Sequence, residues 1–85
     1  MNTRYKVKDS EDENLYIGVT GHYLKASEAK GVYRKSLKKE EKDDSILIEI
    51  AKEGDSEVDA VVTFGVDEGE KFALALLNLC HAIKD

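Results

Sequence analysis

The chain has 85 residues, of which 41% are hydrophobic and 36% charged, with a formal net charge of −5. This length predicts one domain, residues 1–85, whose core buries roughly 60 to 65% of the unfolded chain's surface. No apolar run approaches the length of about 18 residues that a membrane span needs, the first residues lack the apolar segment of a secretory signal, and the single cysteine excludes an internal disulfide. A cytoplasmic location and no membrane segment are therefore predicted.

The charge is unevenly distributed along the chain. Residues 45–85 hold nine acidic and three basic side chains, whereas residues 1–44 are nearly balanced. An acidic half of this kind favours association with a basic partner. A basic stretch, residues 30–42, raises the alternative of nucleic-acid binding, but only Tyr33 interrupts it and no stacking aromatics accompany it. The charge pattern therefore favours a protein partner over nucleic acid.

Two short strands are predicted at the start of the chain. Residues 4–8 alternate Tyr5 and Val7 with basic side chains, and residues 15–20 alternate apolar residues in the same way. The acidic segment between them, residues 9–14, makes the pair a hairpin. Its carboxylates lack the order of an EF-hand calcium loop, so we predict a solvated loop and not a metal site.

The middle of the chain permits two interpretations. Apolar residues at helical spacing favour a helix over residues 28–41, with Ser27 as its N-cap. Gly31 costs about 1 kcal/mol inside such a helix. The same segment can instead form two strands, residues 22–27 and 32–38, joined by a turn. The sequence leaves helix and hairpin open.

A second hairpin follows this ambiguous segment. Residues 45–51 carry isoleucine at every second position, which predicts a central strand. Residues 58–65 alternate in the same way, and Gly54 lies in the turn between the two strands.

The C-terminal segment, residues 67–85, predicts an α-helix that folds back over the sheet. Asp67 followed by Glu70 has the spacing of a capping box. Apolar residues at spacings of four, three and four form a sheet-facing stripe: Phe72, Leu76, Leu79 and Ile83. Cys80 lies on the same side, where a thiol behaves as a small buried hydrophobe.

The same helix carries a second apolar ridge outside the stripe, formed by Leu74, Leu77 and His81. Two explanations are open. Either another part of the chain covers the ridge, or the ridge contacts a second chain, for example its own copy across a two-fold axis.

Motifs that would indicate catalysis are missing. The chain has no phosphate-binding loop, no dinucleotide-binding motif and no hydrolase nucleophile motif. Cys80 and His81 are adjacent on a helix and point about 100° apart, so both cannot hold one metal ion. We therefore predict no enzyme activity, no metal and no cofactor.

These patterns predict an α+β fold, in which a small antiparallel sheet of four or more strands packs against a C-terminal helix in the order ββ(α or ββ)ββα. The predicted function is that of a non-enzymatic acidic protein-binding module, an inhibitor or adaptor of a macromolecular partner, for example one that itself handles nucleic acid. A homo-oligomeric scaffold, such as a homodimer, or a small-ligand binder is the alternative. The predicted partner-binding residues are Leu74, Leu77, His81, Asp55, Glu57 and Asp59.

Overall fold

The structure, a computed structural model, describes residues 5–85. Its elements are β1 (Tyr5–Lys8), β2 (Leu15–Gly21), α1 (Ala26–Leu37), β3 (Ile46–Lys52), β4 (Val58–Phe64) and α2 (Val66–Lys84). The strands form one antiparallel sheet in the order β1-β2-β3-β4. The predicted α+β class is confirmed, with the order ββαββα. Residue 4 of the predicted first strand lies outside the described residues.

The strand register sorts the side chains onto two faces of the sheet. Cross-strand partners project to the same side, and the aligned residues of one side are all apolar apart from glycine through most of the sheet. We call this side the apolar face; its members are Tyr5, Val7, Ile17, Val19, Ile46, Ile48, Ile50, Ala60, Val62 and Phe64. The opposite face carries charged side chains, among them Lys6, whose ammonium lies 4.3 Å from the centre of the Tyr16 ring.

The ambiguous middle segment forms a helix, so the helix interpretation is correct and the hairpin interpretation is wrong. The helix begins earlier than predicted, because Lys25 and not Ser27 is the N-cap residue, and no side chain caps it. It also ends earlier. Lys39 adopts a left-handed conformation with φ 62°, and the Glu40 N–H donates to the Lys35 carbonyl at 3.0 Å. This pairing is a Schellman motif, which satisfies the last carbonyls and stops the helix.

Helix α1 lies at the end of the sheet where β2 finishes and β3 begins. Ala29 and Tyr33 face Val19, Ile46 and Val66 across a cavity of about 350 Å³. Gly31 has no heavy atom within 4 Å of the position a Cβ would take. No close packing at this position therefore requires a glycine.

Helix α2 begins at a different cap from the one predicted. Gly65 is its N-cap residue and provides no side chain, so the predicted capping box of Asp67 and Glu70 is wrong. Asp43, from the loop after α1, supplies the cap instead: its Oδ2 accepts a hydrogen bond from the Val66 N–H at 2.8 Å. A Cβ on residue 65 would lie 2.7 Å from the Asp43 side chain. Only glycine allows this close approach.

Most of α2 stands away from the sheet, which corrects the prediction that it folds back over its own hairpin. Its first turn lies against Phe64 and Ile46, since a Cβ on Gly69 would be 3.4 Å and 3.7 Å from them. Beyond that turn every residue is exposed. Leu79 is 58% exposed, and Cys80 is also exposed, so the predicted burial of both is wrong for the single chain.

The physical reason is the length of the link between β4 and α2. Gly65 is the only residue between the two elements, whereas strand-to-helix connections that reverse the chain usually have about 2 to 6 residues. The sheet consequently lacks a cover. Within residues 5–85, only Gly18, Ser45 and Ala51 are buried.

Candidate functional site

An apolar groove of about 520 Å³ lies between the sheet and α2. Tyr5, Val7 and Ile17 line it from the sheet, and Phe72 and Leu76 line it from the helix. Phe64 and Phe72, which both line the groove, meet edge to face with ring centroids 6.3 Å apart. Glu70 is the only charged side chain among the groove's lining residues. The groove therefore offers burial of apolar surface and almost no polar recognition.

The predicted ridge lies on the exposed part of α2. Leu74 is 58% and Leu77 51% exposed, and His81 is also exposed. The sheet-facing stripe is no better covered, because its members retain between 55% and 76% of their surface. The helix is thus apolar on two sides, and both sides meet solvent in the single chain. A helix that is apolar all round is normally buried on all sides.

The predicted acidic residues lie in a different part of the molecule. Asp55 and Glu57 are in the turn between β3 and β4, and Asp59 is the second residue of β4; all three are exposed. Helix α2 starts at the other end of β4. The structure therefore does not bring the acidic residues together with the ridge.

A cluster of polar side chains joins β2 to the loop before β3. The Tyr23 hydroxyl donates to Asp44 Oδ1 at 2.6 Å, and His22 Nδ1 lies 2.8 Å from the Asp44 backbone carbonyl, to which it donates. The hydrogen bond to Asp44, followed by burial and by nearby negative charge, raises the pKa of Tyr23 to about 12. A tyrosine that holds its proton this firmly is a poor general base at neutral pH. We interpret the cluster as a clamp that fixes the loop carrying Asp43.

The cavity beneath α1 is a second space of interest. Its walls are mostly apolar, and the Ser45 hydroxyl is buried beside it close to the Asp43 carboxylate, without a hydrogen bond of good geometry. Lys30 is the only charged lining residue. This arrangement is consistent with loose packing of α1 and lacks the convergent polar groups that fix a small ligand.

Two further findings concern residues 5–85. No group of three or more His, Cys, Asp or Glu side chains in this range is placed to hold a metal ion. In the acidic loop, Asp9 Oδ2 instead accepts the N–H groups of Glu11 and Asp12, each at 3.0 Å. Neither described helix combines the length and the apolar character that a membrane crossing requires.

Sequence reasoning missed the apolar face as a functional candidate. The signal was present, because alternating apolar residues occur in all four strands. Such alternation is normally assigned to a core, however, and the sequence offered no reason to leave this face uncovered.

Comparisons with known proteins assign neither a family nor a function to the chain. No protein family model matches the chain, and no similar characterised protein or solved structure was found.

Proposed function

We propose that this chain is a non-enzymatic protein-binding module, acting as an inhibitor or adaptor, and that it binds through the apolar face and α2. One observation carries the proposal: Leu76, Leu79 and Val62 are each more than half exposed on an apolar surface that runs from the sheet to the helix. Monomeric proteins rarely expose continuous apolar patches larger than a few hundred Å², and larger patches mark interaction sites.

The size of this surface is sufficient for stable binding. Fully burying one Leu or Val side chain contributes about 1.5 to 3 kcal/mol. The surface carries more than five such side chains, against an association cost of about 4 to 15 kcal/mol for lost freedom of motion. Burial of both components therefore supports a stable complex without help from charge.

The acidic residues have a secondary role in this proposal. Exposed charges affect mainly the rate of association and are screened over about 8 to 10 Å at physiological salt. The basic residues of α1 do not support nucleic-acid binding, because Tyr33, the aromatic residue among them, lines the cavity beneath the helix and is not free to stack on a base.

Site-specific photo-crosslinking in native cells tests the proposed surface. Benzoylphenylalanine is placed in turn at Val62 on the apolar face, at Leu79 on α2, at Glu57 in the acidic turn, and at Lys35 on α1 as the control. We expect protein adducts from positions 62 and 79 and none from position 35. Each adduct is identified by mass spectrometry, and a second copy of the chain counts as a protein partner.

Adducts confined to position 57 would place the binding surface on the acidic turn, where the sequence predicted it, and would refute the apolar surface. The absence of adducts from all four positions would refute a protein-binding function in these cells.

A further inference from the structure

The surface area of the chain is too large for a compact monomer. The chain exposes 6798 Å², whereas a compact protein of 9.5 kDa exposes about 5,000 Å². Residues 1–4, even if fully exposed, would account for only about 700 Å² of the difference, so about 1,000 Å² or more remains for the rest of the chain. The radius of gyration agrees: it is 14.8 Å, against about 12 Å for a compact chain of this length.

The chain cannot easily remove this surface by closing on itself. Gly65 alone connects β4 to α2, and the Asp43 carboxylate holds the Val66 N–H at 2.8 Å. Bending the link would break this hydrogen bond or press the helix against Asp43. The direction in which α2 leaves its own sheet is therefore set by the link.

The uncovered helix and the uncovered face fit each other in size and chemistry. A helix of 19 residues is about 28 Å long, and the axes of the outer strands of a four-stranded sheet are about 14 Å apart. One α2 can thus cross a complete apolar face. Neither the stripe nor the face contains a charged side chain, so their contact brings no like charges together and leaves no charge buried without a partner.

We propose that the protein partner is a second copy of this chain and that the two copies exchange α2. The helix of each copy lies across the apolar face of the other, so that both helices lie between the two sheets. In this arrangement the partner's sheet covers the sheet-facing stripe of α2. The ridge of Leu74 and Leu77, on another side of the helix, is also covered within the dimer. The arrangement explains why α2 is apolar on two sides. The inference rests on the proposed function, because it names the occupant of that same surface.

The area argues for a second copy over a transient partner. Removing an excess of about 1,000 to 1,800 Å² from each chain buries about 2,000 to 3,600 Å² in the dimer, which is the range of obligate homodimers. Transient complexes of standard size bury only about 800 Å² per partner. The nearly uncharged groove also matches the more apolar interfaces of homodimers.

Sedimentation equilibrium of the purified chain is the first test. We expect twice the 9.5 kDa of the chain, at both 0.1 M and about 1 M salt, since apolar association does not depend on exposed charges that salt screens. Val62→Glu changes the apolar face and Leu79→Lys changes α2; each should weaken the dimer at least about 100-fold. Val61→Glu, on the opposite side of the same strand, is the matched control and should change the dissociation constant of the dimer less than about threefold.

Mixing the two weakened variants distinguishes exchange from other dimers. In an exchanged pair, α2 of the Val62→Glu copy meets the unchanged sheet of the Leu79→Lys copy, so one natural interface remains. The mixture should associate at least about tenfold more tightly than either variant alone. This comparison remains informative if a single variant folds poorly by itself, because mixing would also restore its circular dichroism.

Cys80 provides an internal probe, because it is the only cysteine in the chain and is exposed in the single copy. In the dimer its alkylation should slow at least about tenfold, and dilution below the dissociation constant should restore the rate. A monomer at high concentration with a freely reactive Cys80 would overturn self-pairing, but it would leave the surface open to a different protein as the proposed function requires. A monomer with a protected Cys80 would show that α2 closes on its own sheet, which would overturn both. A dimer that Val61→Glu breaks as readily as Val62→Glu, or that mixing does not restore, would overturn the exchange.

Discussion

Removing the Asp43 carboxylate is expected to loosen the junction that directs α2. Its Oδ2 accepts the Val66 N–H at 2.8 Å, and its Oδ1 accepts the Ser45 N–H at 3.0 Å. The first bond satisfies an N–H at the start of α2, and the second fixes the loop before β3. Asp43→Ala leaves both N–H groups without this acceptor.

The expected loss follows from these contacts. Replacing a capping side chain with alanine costs about 0.5 to 2 kcal/mol, and removing a negative charge from a helix N-terminus costs about 0.3 to 1 kcal/mol. The free energy of unfolding should therefore fall by about 1 to 3 kcal/mol. In a domain of this size each kcal/mol lowers the melting temperature by about 4 to 8 °C.

Thermal melts followed by circular dichroism measure this loss, at one protein concentration because assembly makes the melting temperature concentration-dependent. Asp55→Ala is the control: it removes the same charge from an exposed turn and should change stability by less than about 0.5 kcal/mol. Asp43→Asn retains an acceptor oxygen without the charge and should fall between Asp43→Ala and the unmodified chain.

The pH dependence gives an independent test of the same contact. Partial burial raises the pKa of Asp43, but the Val66 N–H, the nearby Ser45 hydroxyl and the Ser45 N–H together outweigh burial and hold its pKa below the ordinary value. A lowered pKa in the folded state means that the charged carboxylate stabilises the fold above the unfolded value of about 3.9. This stabilisation is lost as pH falls through the folded value.

The difference between the unmodified chain and Asp43→Ala should therefore be constant from about pH 6 to 8 and shrink below about pH 4. Equal melting temperatures at neutral pH would refute the capping role. A difference that persists unchanged at about pH 2 would show that the carboxylate's charge is not its source.

Two glycines are expected to respond to alanine in opposite directions. Gly65→Ala places a Cβ 2.7 Å from the Asp43 side chain and should destabilise the fold by about 1 to 3 kcal/mol. Gly31→Ala instead adds a methyl group in open space on α1 and should stabilise the fold by about 0.5 to 1 kcal/mol. Denaturant melts that show equal stability for the two variants would contradict this packing. In an absorbance titration, one of the four tyrosines should ionise near pH 12, and Asp44→Asn should bring it back toward about 10. Because the pKa of Tyr23 is raised on folding, its hydrogen bond stabilises the fold below about pH 10 and is lost as pH approaches 12. The absence of a tyrosine that ionises near pH 12 would show that this bond is not formed.

The sequence by itself determined the number and type of most elements, because residue periodicity is a local property. Alternating isoleucines at positions 46, 48 and 50 predicted β3, and apolar spacings of four, three and four predicted α2; both elements lie within one residue of the predicted bounds. The choice between helix and hairpin in the middle segment was left open because Gly31 weakens the helical pattern there. The helix ends where Lys39 takes a left-handed conformation, which lysine adopts rarely and the sequence did not indicate.

Contacts between distant residues were decided by the tertiary structure. The cap of α2 comes from Asp43, 23 residues before Val66, and no local pattern links the two positions. The predicted capping box had the correct spacing but lay inside the helix, because the chain becomes helical directly after Gly65.

The location of the proposed binding surface was also decided by the tertiary structure. The residue pattern predicts an apolar stripe on α2 and an apolar face on the sheet. It also predicted that each would cover the other within one chain. Whether two apolar surfaces of the same chain can meet depends on the connection between them. Here a single residue, held by Asp43, directs α2 away from the sheet. The same hydrophobic pattern that predicts a core therefore produces an open surface, because burial depends on the arrangement of the elements and not on their composition.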